Sequence, residues 1–75
     1  MNKVRRDQLH KVIQKIENII QAVEIILCDE QDAYDNMPES LKESDKGLTS
    51  MEAQDNMEAA IEALGEASAC LEEMC

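Results

Sequence analysis

The stretch LHKVIQKIENIIQAVEIIL, residues 9–27, decides the fold of this chain. Its apolar residues recur at steps of three and four along the sequence, at positions 9, 12, 13, 16, 19, 20, 23, 26 and 27. This spacing is that of one side of an α-helix, and its period is close to the heptad repeat of a coiled coil. A helix with such a stripe must bury it, so the rest of the chain has to supply a packing partner.

The first helix is expected to extend beyond this stretch, over about residues 3–34. It has to end before Pro38, because proline lacks a backbone donor and disfavours helical geometry in the residue that precedes it. The chain therefore leaves the helix near Met37, and the residues after Pro38 begin a new element.

A short helical connection is predicted within residues 35–48, with Gly47 as the residue that closes its last turn. The second helix is predicted over about residues 50–75, because the segment from Thr49 to Glu52 matches the S/T-x-x-E capping box. Its apolar and small residues again step by three and four: Met57, Ile61, Leu64, Ser68, Leu71 and Cys75.

Residues 1–75 form a single small domain, and Tyr34 is its only aromatic residue. Such a chain suits thin helix–helix packing, and small domains of this kind gain stability from disulfides, metals or oligomerisation. Two helices do not cover both stripes. The predicted fold is therefore all-α: an antiparallel two-helix hairpin with a short helical connection, self-associating as a dimer or higher oligomer into a helical bundle.

The charge of the chain is acidic and unevenly distributed. The formal net charge is −10; residues 1–15 contain five basic residues and one acidic, whereas residues 16–75 contain two basic and sixteen acidic. This balance argues against direct nucleic-acid binding and against binding to an anionic membrane. An antiparallel hairpin sets the basic start beside acidic residues near the end of the second helix, and we expect ion pairs there. The residues concerned are Lys3, Arg5, Arg6, Lys11, Lys15, Glu66, Glu72 and Glu73.

No arrangement of residues indicates catalysis, a cofactor or a metal. The only metal-like set is His10 with Cys70 and Cys75, but the i,i+5 spacing directs the two sulfurs apart on a helix. Three cysteines, without a signal peptide or a membrane-spanning run, favour a reduced cytoplasmic protein. We therefore expect a protein that is not an enzyme.

The connection between the helices has more hydrogen-bonding side chains than a plain turn requires. One interpretation is helix capping under a hydrophobic lid; the other is a recognition loop in which Tyr34 stacks on a base or a partner side chain. The arginines at the start of the chain suit bidentate contacts with phosphate. The candidate ligand-binding residues are Arg5, Arg6, Tyr34, Asn36, Ser40 and Ser44.

The segment E-Q-D-A-Y-D-N-M-P-E-S-L, residues 30–41, followed by S-D-K-G at residues 44–47, carries a resemblance. Together with the basic opening M-N-K-V-R-R, it resembles small acidic proteins of phages and Firmicutes mobile elements. The resemblance covers nearly the whole chain. It implies a phage-type accessory protein in the host cytoplasm, and it transfers no site residue.

Two functions of different classes follow from these patterns. The first is counter-defence, in which the protein sequesters a phosphorylated nucleotide signal in a pocket between subunits. The second is inhibition of a host protein, in which an acidic face with Glu58, Glu62 and Glu66 covers a basic, nucleic-acid-binding surface. A purely structural assembly module is a third possibility.

Overall fold

The computed structural model describes residues 1–75, and all of its regular structure is helical. Helix α1 comprises Lys3–Asp35, α2 comprises Glu39–Lys42 and α3 comprises Asp45–Glu72. The molecule is elongated, measuring 58 × 15 × 12 Å. The predicted all-α class is thereby confirmed, and α1 differs from its predicted bounds of about 3–34 by one residue. None of the helices combines the length and the apolar character needed to cross a membrane.

Helix α1 begins where a side chain replaces the missing backbone acceptor. The Oδ1 atom of Asn2, which has an extended backbone, accepts a hydrogen bond of 2.9 Å from the backbone N–H of Arg5. The first turn contains no acidic residue, and the last turn contains no basic one. Neither end therefore has charges that complement the helix dipole, and the Asn2 cap provides local stabilisation at the start.

Helices α1 and α3 pack along one side of each helix. The covered seam of α1, which is its set of partly or fully buried positions, is Leu9, Ile13, Ile16, Ile20, Val23, Leu27, Glu30, Gln31 and Tyr34. The covered seam of α3 is Gly47, Ser50, Ala53, Gln54, Met57, Ile61, Leu64, Gly65, Ser68 and Leu71. Both sets follow steps of three and four, as expected for coiled-coil-like packing.

The predicted start of the second helix is wrong by about one turn. Helix α3 starts at Asp45, with Ser44 as its N-cap, so the capping box at Thr49 is not used. Gly47 lies inside the helix with a negative φ and is buried. It contacts the backbone of Lys42, where any Cβ atom would overlap the carbonyl group. The glycine thus permits close approach of α2 to α3; it does not end a helix. The helix also ends at Glu72, short of the predicted residue 75.

The core of this chain is very small. Four of the 75 residues are buried: Ile13, Gly47, Ser50 and Ser68. The large apolar residues that remain exposed are Met1, Val4, Val12, Ile19, Ile25, Ile26, Leu41, Leu48, Met51 and Met74. Since isolated helical pairs gain most of their stability from packing, this chain leaves much of its apolar surface without a partner.

Candidate functional site

The segment after α1 is organised around Tyr34, in the last full turn of that helix. The Nζ atom of Lys42 lies 5.3 Å from the centre of the Tyr34 ring, within the range of a cation–π contact. Lys42 also forms an ion pair of 3.9 Å with Glu39, one turn earlier in α2. The contact with Tyr34 depends on how the chain turns at Pro38, so sequence spacing did not identify Lys42 as part of this segment.

The polar residues of the segment have different surroundings. The hydroxyl group of Ser44 donates a hydrogen bond of 2.6 Å to the carbonyl of Leu41, so it has a structural role in the turn. Asn36 is the C-cap of α1, and its backbone N–H donates to the Asp32 carbonyl. The side chains of Asn36 and Ser40 are exposed to solvent. The Ser44 hydroxyl group is thus engaged within the turn, although it makes no cap hydrogen bond to α3, whereas the side chains of Asn36 and Ser40 are accessible to a ligand.

Arg5 and Arg6 lie far from this segment within one chain. Both are exposed in the first turns of α1, and 29 residues separate Arg5 from Tyr34. At about 1.5 Å per residue, the two ends are about 44 Å apart. Successive helical residues also point about 100° apart, so the two guanidinium groups leave the helix in different directions. One chain does not bring the predicted ligand-binding residues together.

The basic start of α1 forms no ion pair within the chain. The single ion pair is the one between Lys42 and Glu39, so the predicted pairing with the acidic end of the second helix does not occur. Near that end, an open groove of about 410 Å³ lies between α1 and the C-terminus. Its lining residues are His10, Ile13, Gln14, Glu17, Glu72 and Cys75.

The thiols and acidic groups near this groove are not assembled into a metal site. Cys28, Cys70 and Cys75 are all exposed and free. No group of three or more His, Cys, Asp or Glu side chains is arranged to hold a metal ion. The lining of the groove shows that residues early in α1 lie beside the last residues of the chain.

The predicted acidic face lies on α3. Glu58, Glu62 and Glu66 are exposed and are separated by four residues each, so they follow one another along successive turns. No basic side chain forms an ion pair with them. Their charges are therefore available to a basic surface of another molecule.

No protein-family model matches the chain, and no curated protein or solved structure matches it significantly.

Proposed function

We propose that the protein is a non-enzymatic subunit of a homo-oligomer that sequesters a phosphorylated nucleotide between subunits, as a phage-type counter-defence protein in the host cytoplasm. In this proposal α1 and α3 form an antiparallel hairpin, and hairpins associate into a helical bundle. The observation that carries the proposal is the exposed apolar surface along α1, which a second copy would cover. The resemblance of residues 30–41 to a phage and mobile-element segment supports the biological context.

A site between subunits would combine two kinds of group that one chain keeps apart. The unpaired arginines at the start of α1 would bind phosphate through charge-assisted hydrogen bonds. Tyr34 would stack on a base with the ring face that Lys42 does not cover, and the Lys42 ammonium would add positive charge. Asn36 and Ser40 are exposed beside it and would contribute polar contacts.

Calorimetry with the full chain and a panel of cyclic and linear nucleotides tests this proposal. We expect one class of phosphorylated nucleotide to bind, Tyr34→Ala or Arg5→Ala to weaken that binding at least tenfold, and Arg6→Ala to weaken it by a smaller factor. Lys15→Ala is the matched control, because Lys15 is also basic and exposed on α1 but lies about 15 Å from Arg5. Circular dichroism should show unchanged helicity in all variants. Absence of binding across the panel would refute the proposal.

The unpaired carboxylates of α3 favour a second candidate, an acidic inhibitor that covers a basic surface of a host protein. Here the association rate should fall steeply with added salt, because the steering is electrostatic. Replacing Glu58, Glu62 and Glu66 with glutamine should then reduce association, whereas it should not affect nucleotide binding. If neither a nucleotide nor a basic protein binds, the remaining function is a structural assembly module.

A further inference from the structure

A line of exposed apolar residues runs along α1 beside its covered seam. Val12, Ile19 and Ile26 are spaced by seven residues and are 41%, 49% and 57% exposed. Seven residues are close to two helical turns, so the three side chains lie in line. We call them the α1 column. Continuing the spacing leads to Arg5 at one end and to Ala33 at the other.

Helix α3 has a matching line of small and apolar residues. Ala60 and Ala67 of α3, and Met74 two residues beyond its end, are exposed and are also spaced by seven. We call them the α3 column. Each residue of a helix is rotated by about 100° from the one before it. By this rotation the α1 column lies about 80° from the centre of the α1 seam. The α3 column lies about 90° from the centre of the α3 seam, in the same sense of rotation about its helix axis. In an antiparallel pair of helices, equal rotations lead to the same side of the pair.

The two columns therefore share one side of the molecule. The opposite side carries Arg6, Glu58 and Glu62, by the same rotation from the two seams. The side that carries the two columns is thus the more apolar of the two, and Gln8 and Lys15 lie at its edge by the same rotation. An apolar side of this kind is the position that the other pair of helices occupies in a four-helix bundle.

Both columns are also centred at about the same height. The groove that Ile13 lines includes Glu72 and Cys75, so Ile13 is about level with residue 73. Ile19 lies six residues after Ile13 in α1, and Ala67 lies six residues before residue 73. Because the helices are antiparallel, Ile19 is about level with Ala67. Each of these residues is the middle member of its column. A two-fold axis through this level would therefore superpose each column on its own copy.

We propose that the apolar side binds a second copy of this chain, related by a two-fold axis that passes between the two Ile19 side chains. In this arrangement the α1 helices run antiparallel, and residue i faces residue 38 − i of the other copy. Ile19 faces the partner's Ile19, and Val12 faces the partner's Ile26. Along α3, Ala67 faces the partner's Ala67, and the small alanines permit close approach of the two helices.

The charges of α1 fit this antiparallel register. On one side of the α1 column, Arg5 lies near the partner's Glu30. On the other side, Lys11 lies near the partner's Asp29. The two-fold axis forms each of these pairs twice. A parallel arrangement would instead place Arg5 beside the partner's Arg5 and Lys11 beside the partner's Lys11. Opposite charges at the rim favour one register over another, although each exposed pair contributes only about 0–1 kcal/mol.

The register also defines the candidate nucleotide site more closely. Arg5 faces position 33 of the other copy, so it is level with the partner's Tyr34. Arg6 lies on the polar side of the chain and points away from the interface. This dimer depends on the self-association that the proposed function includes, but it does not depend on the binding of a nucleotide. If the nucleotide proposal also holds, Arg5 should contribute to the site more than Arg6.

Disulfide cross-linking of the full chain tests the face and the register. The background is a variant in which Cys28, Cys70 and Cys75 are replaced by serine, since all three thiols are exposed. Ile19→Cys should form a cross-linked dimer under mild oxidation. Val12→Cys alone should not, because the two positions would be about 21 Å apart along the helices, whereas a disulfide needs Cα atoms about 4.4–6.8 Å apart. A mixture of Val12→Cys and Ile26→Cys proteins should cross-link.

Two results would overturn the inference. Efficient cross-linking of Val12→Cys with itself would indicate parallel helices, and cross-linking of Glu58→Cys in preference to Ile19→Cys would place the interface on the polar side. Analytical ultracentrifugation of the unmodified protein separates the two proposals. An oligomer that cross-links on the wrong face contradicts the dimer but leaves the proposed function standing, whereas a monomer contradicts both.

Discussion

Replacing Gly47 with alanine should destabilise the protein, although alanine is the better helix former. The added Cβ would overlap the carbonyl group of Lys42, and the atoms that it would meet belong to the backbone, not to a flexible side chain. Helices α2 and α3 would have to separate to make room. Overpacking of this kind costs about 1–3 kcal/mol, and alanine recovers at most about 1 kcal/mol through helix propensity. Because the overlap is with backbone atoms, we expect the upper end of this cost, and the net loss is then about 2 kcal/mol of the free energy of unfolding.

Gly65 provides a matched control in the same helix. Nothing lies within 4 Å of a Cβ atom built there, so Gly65→Ala should stabilise the protein by about 0.5–1 kcal/mol. In a domain of this size about 1 kcal/mol shifts Tm by about 4–8 °C. Thermal unfolding followed by circular dichroism, at equal protein concentration, should therefore show shifts of opposite sign. If Gly47→Ala raised Tm as Gly65→Ala does, the close approach of α2 to α3 would be refuted.

Two further changes test the packing and capping of α1. Ile13→Ala should lower the free energy of unfolding, measured by chemical denaturation, by about 2–3 kcal/mol, because Ile13 is the one buried large apolar side chain. Ile25→Ala is the control and should change it by no more than about 0.5 kcal/mol, because Ile25 is 64% exposed. Equal effects of the two changes would contradict the assignment of Ile13 to the covered seam. Asn2→Ala should cost about 1 kcal/mol and speed amide exchange in the first turn, while Ser44→Ala, whose side chain makes no cap hydrogen bond, should leave exchange at the start of α3 nearly unchanged.

The helices could be predicted from the sequence because their apolar residues repeat without interruption. The spacing from Leu9 to Leu27 predicted that α1 is a helix with one apolar side, and Pro38 predicted its end to within a few residues. The start of α3 could not be predicted, because two capping signals compete within five residues. Helix α3 starts at Asp45 although the Ser44 side chain makes no cap hydrogen bond, and Gly47 in its first turn packs against α2. That contact involves the backbone of Lys42, so it cannot be predicted from a pattern of side chains.

The candidate site was less predictable than the fold. The composition of the segment around Tyr34 drew attention to it, but composition does not show which groups are near the ring. Lys42 reaches Tyr34 only because the chain turns at Pro38. Nor did charge reasoning predict that the basic start of α1 would lack ion pairs with the end of α3. An ion pair between exposed side chains in water contributes little free energy, so long basic side chains need not adopt the conformation that would form it.

The residues that α3 buries explain why association should stabilise this chain. Gly47, Ser50 and Ser68 are its buried positions, and all three are small. Small residues let α3 approach α1 and α2 closely, but they remove little apolar surface from water when they are covered. The larger apolar side chains of α1 outside the seam stay in solvent, among them Ile19 and Ile26. Covering them with a second copy would add the apolar burial that the pair of helices lacks. Folding and association should therefore be coupled, and Tm should rise with protein concentration.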